Sequence, residues 1–364
     1  MSRRARPDVL SEGRRERVGL GRGFYDTLGC TMSDIAQLLE IIDRFADTRV
    51  ALYGDLVLDR FILGTPKRIS REAPVIILRH EGQRDVPGGG ANALANLAAL
   101  GATVSVVGAV GDDDPGRALS AALATAGVDT RRIVTVPDFR TPTKVRILGG
   151  GRSSLKHQVA RYDIEDELPE QGGWRDELRT HLLEEMRSAG ALAISDYGYG
   201  CVRAEDLRHR PSEVPHGPWL CLDSRYRIGS FRGIDGATPN LEELEANCGR
   251  RLTSDADVAA AAEELRLALD ARFVLATRGN CGMTLVEAGR EPFHIPVYGT
   301  DEVADVTGAG DTVLAVLTAS LAAGARPLDA ARLANIAAGL VVMKLGTATV
   351  SADELRSAAA GWRA

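Results

Sequence analysis

The feature that most constrains the fold is a repeated alternation of short apolar runs with helical stretches. The apolar runs end in polar or glycine-containing turns and read RVALYGDLVLD (49–59), TVSVVGAVG (103–111), GALAISDYG (190–198), PWLCLDSR (218–225) and FVLATRG (273–279). Continuous apolar strands of this kind are typical of a parallel sheet that is covered on both faces. Helical patterns separate them at 91–100, 115–126, 175–188, 240–248, 256–270, 309–323 and 328–344. The alternation predicts an α/β fold with a doubly wound, mostly parallel sheet flanked by helices, whose ligands bind beyond the carboxyl ends of the strands.

Two regions interrupt the alternation and one precedes it. Residues 61–87 and about 141–163 show short β patterns without convincing helices, so we predict that they form a small β-sheet that acts as a lid. Residues 32–364 then form one large domain with this insertion, opened by an amphipathic helix from Ser33. Residues 1–31 are polar, rich in glycine and arginine and without periodicity, which predicts a disordered extension. A translation start at Met32 and a nucleic-acid-binding arm are the alternatives for this segment.

Composition argues against several classes of partner. Lys and Arg total 44 against 50 Asp and Glu, which gives a net charge of −6, and aromatic residues make up 5%. This balance gives no general reason to expect nucleic-acid or anionic-membrane binding, and it leaves few residues for a base-stacking surface. The five cysteines are widely spaced without a C-x-x-C pair, which indicates reduced thiols rather than a disulfide framework or a zinc site. No apolar run reaches about 18 residues, so the sequence predicts a cytoplasmic protein.

The segment Asp305–Thr312 carries the strongest chemical signal. It reads Asp-Val-Thr-Gly-Ala-Gly-Asp-Thr and leads directly into an apolar helical stretch. Gly308, Ala309 and Gly310 at a helix start let backbone N–H groups converge on an anion, with the helix dipole favouring negative charge there. Asp311 lies beside that anion, where it can take a proton from an attacking hydroxyl. The pattern indicates phosphoryl transfer, and a tight glycine turn with Asp311 as a helix cap is the structural alternative.

A second glycine-rich segment, Pro87-Gly-Gly-Gly-Ala-Asn92, precedes the helical stretch at 91–100. Gly88 and Gly89 permit close approach of the backbone to a ligand. Asn92 offers both a donor and an acceptor to a sugar hydroxyl. A glycine run before a helix is weak evidence by itself, but its pairing with the 305–312 segment is much more specific.

The two segments together resemble the signatures of the ribokinase (PfkB) family of carbohydrate kinases. The resemblance covers residues 48–355 and is strongest to the heptose 7-phosphate kinase domain of bifunctional ADP-heptose synthases. The matching stretches are GDLVLDRFILGTPKRISREAPV (54–75), PGGGANALANLAALGA (87–102), TPTKVRIL (141–148), ISDYGYG (194–200), TPNLEELEA (238–246) and DVTGAGDTV…KLGTATVS (305–351). The resemblance implies a ribokinase-like fold, ATP and Mg²⁺ as cofactors, and a homodimer formed through the lid sheets. The implied substrate is D-glycero-D-manno-heptose 7-phosphate, phosphorylated at its anomeric hydroxyl.

The resemblance also implies roles for individual residues. Asp311 corresponds to the catalytic base, and the amides of residues 308–310 correspond to the anion hole. Asn240 and Glu243 match the N-x-x-E motif that organises Mg²⁺, often through water, although Glu243 also suits a solvated first-turn carboxylate. The implied sugar-binding residues are Asp59, Gly88, Gly89 and Asn92, with Asp55 as a further candidate or a strand-end cap. The implied nucleotide-binding residues are Asn240, Thr277, Gly279, Gly282, Thr307, Asn335 and Gly339, of which the last two equally suit helix packing.

A phosphorylated substrate needs cations, and the lid segments supply several. They are Arg68, Arg71, Lys144, Arg146, Lys156 and Arg161. Arginine suits bidentate contact with phosphate. The alternative is that alternating Lys and Arg on an edge strand discourage aggregation. We predict that one or two of these residues contact the phosphate.

Two departures from the resemblance concern the substrate more than the reaction. Asp223-Ser224-Arg225-Tyr226 occupies the place of an Asp-Pro-Lys-Gly segment, and Tyr199 occupies the place of a common lysine. Arg225 supplies one positive charge, although a planar guanidinium is not equivalent to an ammonium. The alternatives are therefore a related kinase for another sugar, sugar phosphate or nucleoside, and a sugar- or nucleotide-binding regulatory protein without catalysis.

Overall fold

The computed structural model describes residues 32–151, 156–208, 217–299, 305–344 and 346–361. The predicted extension 1–31, with Cys30, lies outside the described residues, as do residues 152–155 of the second lid segment. The described chain contains nine α-helices: α1 (Met32–Asp43), α2 (Gly90–Ala99), α3 (Asp114–Thr125), α4 (Gly173–Ser188), α5 (Leu241–Cys248), α6 (Asp255–Leu269), α7 (Ala309–Ala322), α8 (Pro327–Val342) and α9 (Ala352–Gly361). The seven helices predicted between residues 91 and 344 agree with α2 to α8 to within two residues at each end.

Thirteen strands, counted over the same described residues, form two sheets. The strands are β1 (Arg49–Gly54), β2 (Leu56–Ile69), β3 (Ile76–Gly89), β4 (Thr103–Gly111), β5 (Ile133–Val136), β6 (Thr143–Gly149), β7 (His157–Ile164), β8 (Ala191–Asp196), β9 (Trp219–Ser224), β10 (Gly236–Ala237), β11 (Phe273–Thr277), β12 (Met283–Glu287) and β13 (Phe293–Ile295). The main sheet has the order β13-β12-β11-β10-β9-β8-β1-β4-β5. Its strands pair in parallel except for the antiparallel pairs β11–β12 and β12–β13.

The main sheet is covered on both faces, as the apolar strand runs predict. Successive residues of β1 alternate between two cores: Val50 and Leu52 pack with α1, α2, α7 and α8, whereas Ala51 and Tyr53 pack with α4 and α6. Strand side chains alternate in direction, so a strand covered on both faces is apolar at every position. The predicted doubly wound α/β fold is therefore confirmed. None of the described helices is long and apolar enough to cross a lipid bilayer.

The run 49–59, predicted as one strand, divides at Asp55. β1 ends at Gly54 in the main sheet, and β2 starts at Leu56 in a separate four-stranded sheet of order β3-β2-β6-β7. The division is explained by the hydrogen bonds of Asp55. Its carboxylate accepts hydrogen bonds from the N–H groups of Tyr197, Tyr199 and Cys201, and these fix a turn in the chain at this point. The small sheet includes most of the residues of both predicted lid segments.

Candidate active site

The candidate active site lies where the carboxyl ends of β1, β8 and β9 meet the start of α7. Asp311 is in the first turn of α7 and is only 4% exposed. Its Oδ1 accepts a hydrogen bond from the Tyr197 hydroxyl at 2.9 Å, and its Oδ2 accepts one from Asn92 Nδ2 at 3.0 Å. Burial raises the pKa of Asp311 to about 6, while the two donors act in the opposite direction. A carboxyl group with this pKa is ionised at neutral pH and is suited to accept a proton.

The start of α7 also presents backbone donors. Gly308 precedes the helix with a φ of 80°, in the left-handed region that favours glycine. The N–H of Ala309 donates to the carbonyl oxygen of Val306 at 3.3 Å, whereas the N–H groups of Gly308 and Gly310 have no acceptor among the described residues. Unpaired N–H groups at a helix start bind anions. The structure thus leaves two of the three predicted amides open to an anion next to Asp311.

The two glycine-rich segments, more than 200 residues apart in the sequence, meet at this point. Gly308 must lack a side chain, because a Cβ there would lie 2.4 Å from Asn92 Nδ2. Gly88 must lack one because its Cβ would lie 2.7 Å from Asp59 Oδ2. The Asp59 carboxylate is 3% exposed and accepts a hydrogen bond from Arg146 Nη1 at 2.5 Å. The predicted base and the predicted sugar-binding side chains are therefore close neighbours.

One face of the small sheet brings positive charge to the sugar side. Lys144 pairs in register with Asp59, and its Nζ lies 5.1 Å from the ring centre of Tyr197. Burial lowers the pKa of Lys144, and it makes no ion pair with a described residue. Two residues further along β2, on the same face of the sheet, Phe61 stands in register with Arg84 of β3 and Arg146 of β6, and Arg146 with Arg161 of β7. Directly paired residues share a face of the sheet, so this face carries four cations against the carboxylates of Asp59 and Asp163.

Arg84 was not found by sequence reasoning. Its guanidinium lies 5.3 Å from the ring centre of Phe61, and that of Arg146 lies 5.4 Å from the same centre. Arg84 is exposed and, among the described residues, has no carboxylate partner. No motif marks it, since only the register of β2 and β3 places it beside Phe61 and Arg146. By contrast, Arg161 forms an ion pair with Asp163, and the predicted phosphate ligands Arg68 and Arg71 are exposed at the far end of the β2–β3 hairpin.

Asp55 has the strand-end role that the sequence left as an alternative to sugar binding. Its carboxylate is 2% exposed, and it accepts three backbone hydrogen bonds at 2.8 to 3.1 Å from the loop that follows β8. Burial raises the pKa of Asp55 to about 6. A carboxylate that accepts three backbone bonds has little capacity left for a ligand, so this geometry argues against a sugar contact.

An apolar cavity of about 470 Å³ lies on the other side of the α7 start. Most of the predicted nucleotide-binding residues line it, namely Thr277, Gly279, Gly282, Asn335 and Gly339. Tyr298 is the only titratable side chain among its described lining residues. Thr277, Val306 and Gly310 also line an adjoining polar cavity of about 240 Å³ that reaches Asp311. Thr307 lines neither described cavity, and its N–H donates to Asp305 Oδ1 instead.

Asn335 and Gly339 shape the apolar cavity through the segment that follows β13. Asn335 Nδ2 donates to the carbonyl oxygen of Pro296 at 2.9 Å. A Cβ on Gly339 would lie 2.2 Å from the carbonyl oxygen of Tyr298. Both residues therefore hold the wall of the cavity against α8. The helix packing that the sequence offered as the alternative role for these two residues also gives the cavity its shape.

Two carboxylates in the polar cavity suit a divalent cation. Asn240 and Glu243 form a reciprocal cap of α5: Asn240 Oδ1 accepts from the Glu243 N–H, and Glu243 Oε2 accepts from the Asn240 N–H. This leaves Glu243 Oε1 for a cation but occupies the Asn240 side-chain oxygen. Asp223 also lines the cavity, and burial together with the charge of Glu243 raises its pKa. No group of three or more acidic, histidine or cysteine side chains within the described residues could hold a metal alone.

Arg225 and Tyr197 also line the polar cavity. The sequence offered Arg225 only as a substitute for a lysine charge, and it gave Tyr197 no role in the site. Arg225 is exposed, lies 5.8 Å from the ring centre of Tyr226 and makes no ion pair with a described residue. The segment 223–227 is fixed to the end of β8, because Asp196 accepts hydrogen bonds from the Ser224 hydroxyl and from Arg227 Nη2, each at 2.6 Å. The segment 223–226, which departs from the Asp-Pro-Lys-Gly pattern, thus places the guanidinium of Arg225 at the polar cavity.

Sequence relatives cover most of this chain. The chain is 40% identical over 319 residues to the protein from Hahella chejuensis named bifunctional protein HldE, which covers 87% of this chain and 64% of that protein. It is 39% identical over 320 residues to the protein of the same name from Klebsiella pneumoniae, with 88% of this chain and 65% of that one covered. The chain thus spans somewhat less than two thirds of the length of these relatives.

Solved structures share the fold. Arabidopsis thaliana ribokinase complexed with ribose and ATP superposes with a TM-score of 0.66 at 18% identity, over 86% of this chain and 98% of that one. Escherichia coli phosphofructokinase-2 in complex with potassium gives a TM-score of 0.69 at 23% identity, over 87% and 100%. The fold is therefore ribokinase-like.

The sequence profile described as "pfkB family carbohydrate kinase" matches residues 47–170 and 228–354. The match spans more than half of the chain and includes both glycine-rich segments and the two carboxylates Asp59 and Asp311. The residues in between contain α4, β8 and β9, which complete the same sheet. The protein therefore belongs to the pfkB family of carbohydrate kinases and is a phosphotransferase that acts on a sugar hydroxyl.

Proposed function

We propose that the protein phosphorylates D-glycero-D-manno-heptose 7-phosphate at its anomeric hydroxyl, with ATP as the donor and Asp311 as the base. The observation that carries the reaction is the position of Asp311, a buried carboxylate between an apolar cavity and the sugar-side residues Asp59 and Asn92. The substrate is proposed from the likeness to the HldE proteins and from the cations on the small sheet.

In this mechanism the adenosine of ATP occupies the apolar cavity and its phosphates extend into the polar one. The sugar hydroxyl, held beside Asp59 and Asn92, gives its proton to Asp311 as its oxygen attacks the γ-phosphorus. The bond from that phosphorus to the β-phosphate oxygen breaks, and ADP leaves. The free N–H groups of Gly308 and Gly310 stabilise the charge on the transferred phosphoryl group. The guanidinium of Arg225 adds positive charge at the same cavity.

Mg²⁺ fits the carboxylates of Asp223 and Glu243, which would hold it directly or through water. Mg²⁺ in kinases is usually bound by one or two carboxylates together with phosphate oxygens and water. When bound, it neutralises phosphate charge. Burial raises the pKa values of both Asp223 and Glu243, and the charge of Glu243 adds to the shift at Asp223. A bound cation favours the ionised form of both carboxylates, which supports this assignment.

The small sheet supports a phosphorylated substrate. Lys144 and Arg84 have no carboxylate partner among the described residues, and Lys144 is half-buried. Burying an unpaired cation is unfavourable unless an anion joins it. A sugar phosphate supplies this anion, and the lid excludes water when it closes over the sugar.

The proposal is tested by measuring ADP release from purified protein with ATP and Mg²⁺. The acceptors are heptose 7-phosphate, fructose 6-phosphate, fructose, ribose and adenosine, and Asp311→Asn is the matched variant. We expect turnover that is selective for heptose 7-phosphate. We expect Asp311→Asn to bind ATP but to lose about 10³-fold in kcat, because asparagine cannot take the proton.

Each outcome is informative. Selective turnover of another acceptor would keep the kinase mechanism and overturn the heptose assignment. Near-normal turnover by Asp311→Asn would overturn the role of the base. ATP and sugar binding without ADP formation by the wild-type protein would favour a regulatory binding protein.

The homodimer implied by the resemblance and the cytoplasmic location predicted from the sequence itself stay predictions. The small sheet and the turn between β2 and β3 expose several large apolar side chains, and burial of these against a second copy would support the dimer. They are Ile69, Val75, Ile76, Val159 and Tyr162.

A further inference from the structure

Tyr197 connects the catalytic carboxylate with the small sheet. Its hydroxyl donates to Asp311 Oδ1 at 2.9 Å, while the ammonium of Lys144 lies 5.1 Å from its ring centre. Lys144 belongs to β6 of the small sheet, and Asp311 belongs to α7 on the main sheet. The one side chain therefore contacts a group from each part of the protein.

The two donors to Asp311 divide its oxygens between them. Asn92 binds Oδ2 and Tyr197 binds Oδ1, so the carboxylate plane is held at both ends. Each oxygen keeps a second lone pair for the substrate proton. Burial and the charge of Asp311 raise the pKa of Tyr197, so its hydroxyl stays protonated and donates to the Asp311 carboxylate.

Three contacts fix Tyr197, one at its backbone and two at its ring. Asp55 accepts the N–H of Tyr197 at 2.8 Å, which anchors the loop after β8 at this residue. A Cβ on Gly89 would lie 3.3 Å from Tyr197 Cε2, so the glycine leaves space for the ring. Lys144 covers a ring face. Because the ring is fixed, the position of its hydroxyl oxygen beside Asp311 is fixed as well.

We propose that Tyr197 is a positioning residue that orients Asp311 for proton transfer and links this orientation to the lid cation Lys144. This inference rests on the proposed role of Asp311 as the base. A role in packing alone would need only the ring, which phenylalanine also supplies. The hydroxyl is therefore the group to remove.

The test compares Tyr197→Phe with Tyr199→Phe. Tyr199 lies in the same loop, and its hydroxyl donates to Glu165 at 2.7 Å, away from Asp311. For Tyr197→Phe we expect kcat to fall about tenfold with the KM values for sugar and ATP within twofold of wild type. The acid limb of the kcat profile should move up by about one pH unit, because a lost donor disfavours the ionised carboxylate. Tyr199→Phe should match wild type.

A second measurement does not depend on turnover. The folded protein binds a proton at Asp311 near pH 6, whereas an ordinary aspartate binds it near 3.8, so this group stabilises the fold increasingly as the pH falls through 6. In Tyr197→Phe this gain, measured by thermal unfolding, should begin about one pH unit higher. The change should disappear when Asp311→Asn is also present. The other charged groups near Asp311, left unchanged in these variants, are Asp59, Lys144, Asp196, Asp223, Arg225 and Glu243.

The outcomes separate this inference from the proposed function. An unchanged kcat and unchanged pH profiles in Tyr197→Phe would overturn the inference, as would an equal loss in Tyr199→Phe. If no sugar is turned over but the unfolding profile moves as expected, the hydrogen bond orients Asp311 and the proposed reaction is what fails.

Discussion

The two sides of the active site are built in different ways. The apolar cavity assigned to the nucleotide is shaped by backbone and glycines, and none of its described lining residues is Asp, Glu, Lys, Arg or His. The sugar side is built from charged side chains on the small sheet and at the strand ends, such as Asp59, Lys144 and Arg146. The first side therefore selects by shape. The second selects by charge, and a few substitutions there can alter the substrate without altering the fold.

Asp311, the carboxylate that we propose as the base, lies between these two sides, so its removal should have the largest effect. The loss of about 10³-fold in kcat expected for Asp311→Asn should leave binding on both sides intact. If nucleotide binding were lost as well, the two sides would not be independent.

Gly339→Ala tests the shape side. The added Cβ would lie 2.2 Å from the carbonyl oxygen of Tyr298, so the cavity wall must move. We expect the KM for ATP to rise about tenfold and the protein to lose about 1–3 kcal/mol of stability, while the KM for the sugar stays the same. The measurements are steady-state kinetics and thermal unfolding.

Gly361→Ala is the matched control for this change. Gly361 is also in a helix, but a Cβ there meets no atom within 4 Å. It should behave as wild type or be slightly more stable, because alanine restricts the unfolded chain. An unchanged KM for ATP in Gly339→Ala would show that shape does not limit nucleotide binding.

Arg84→Ala tests the charge side. We expect the KM for the sugar phosphate to rise about tenfold, since a charge-assisted contact with the phosphate is lost. The KM for ATP should not change. Arg79→Ala is the control and should match wild type. Arg79 is also an exposed arginine of β3, nearer the start of that strand. Equal effects of the two substitutions would mean that only the overall charge matters.

Of these changes, a change of pH near neutrality should have the smallest effect on kcat. The pKa of Asp311 is about 6, so the base is protonated below this pH and kcat should fall with a midpoint near 6 as the solution is acidified. Binding of adenosine, which we propose to occupy only the uncharged cavity, should not change over the same range. A parallel loss of adenosine binding would contradict the separation of the two sides.

The sequence predicted five of the nine strands of the main sheet and the helices α1 to α8, because their signals are local, whereas the short strands β5, β10, β12 and β13 were not predicted. The apolar runs follow from strands covered on both faces, and the helix bounds follow from periodicity. Asp311 and Gly308 were found in the same way, as a contiguous segment whose chemistry depends on the start of one helix.

Two residues whose proposed roles depend on a distant partner, Tyr197 and Arg84, were not found in the sequence. Tyr197 matters because it meets Asp311, and Arg84 matters because the register of β2 and β3 places it beside Phe61. Asp55 was recognised as polar at a strand end, but only the loop after β8 shows that its carboxylate is already occupied. A local sequence pattern specifies neither the distant partner of a side chain nor the register between two strands.

The sequence by itself thus determined the fold class, the reaction type and the segment that carries the proposed base, since backbone propensity and helix-start chemistry act over a few residues. The tertiary structure decided which charged side chains face the sugar and which hydrogen bonds hold the base. Those contacts depend on strand register and on the packing of the small sheet against the main one. They are set by the free energy of the whole fold rather than by any one segment.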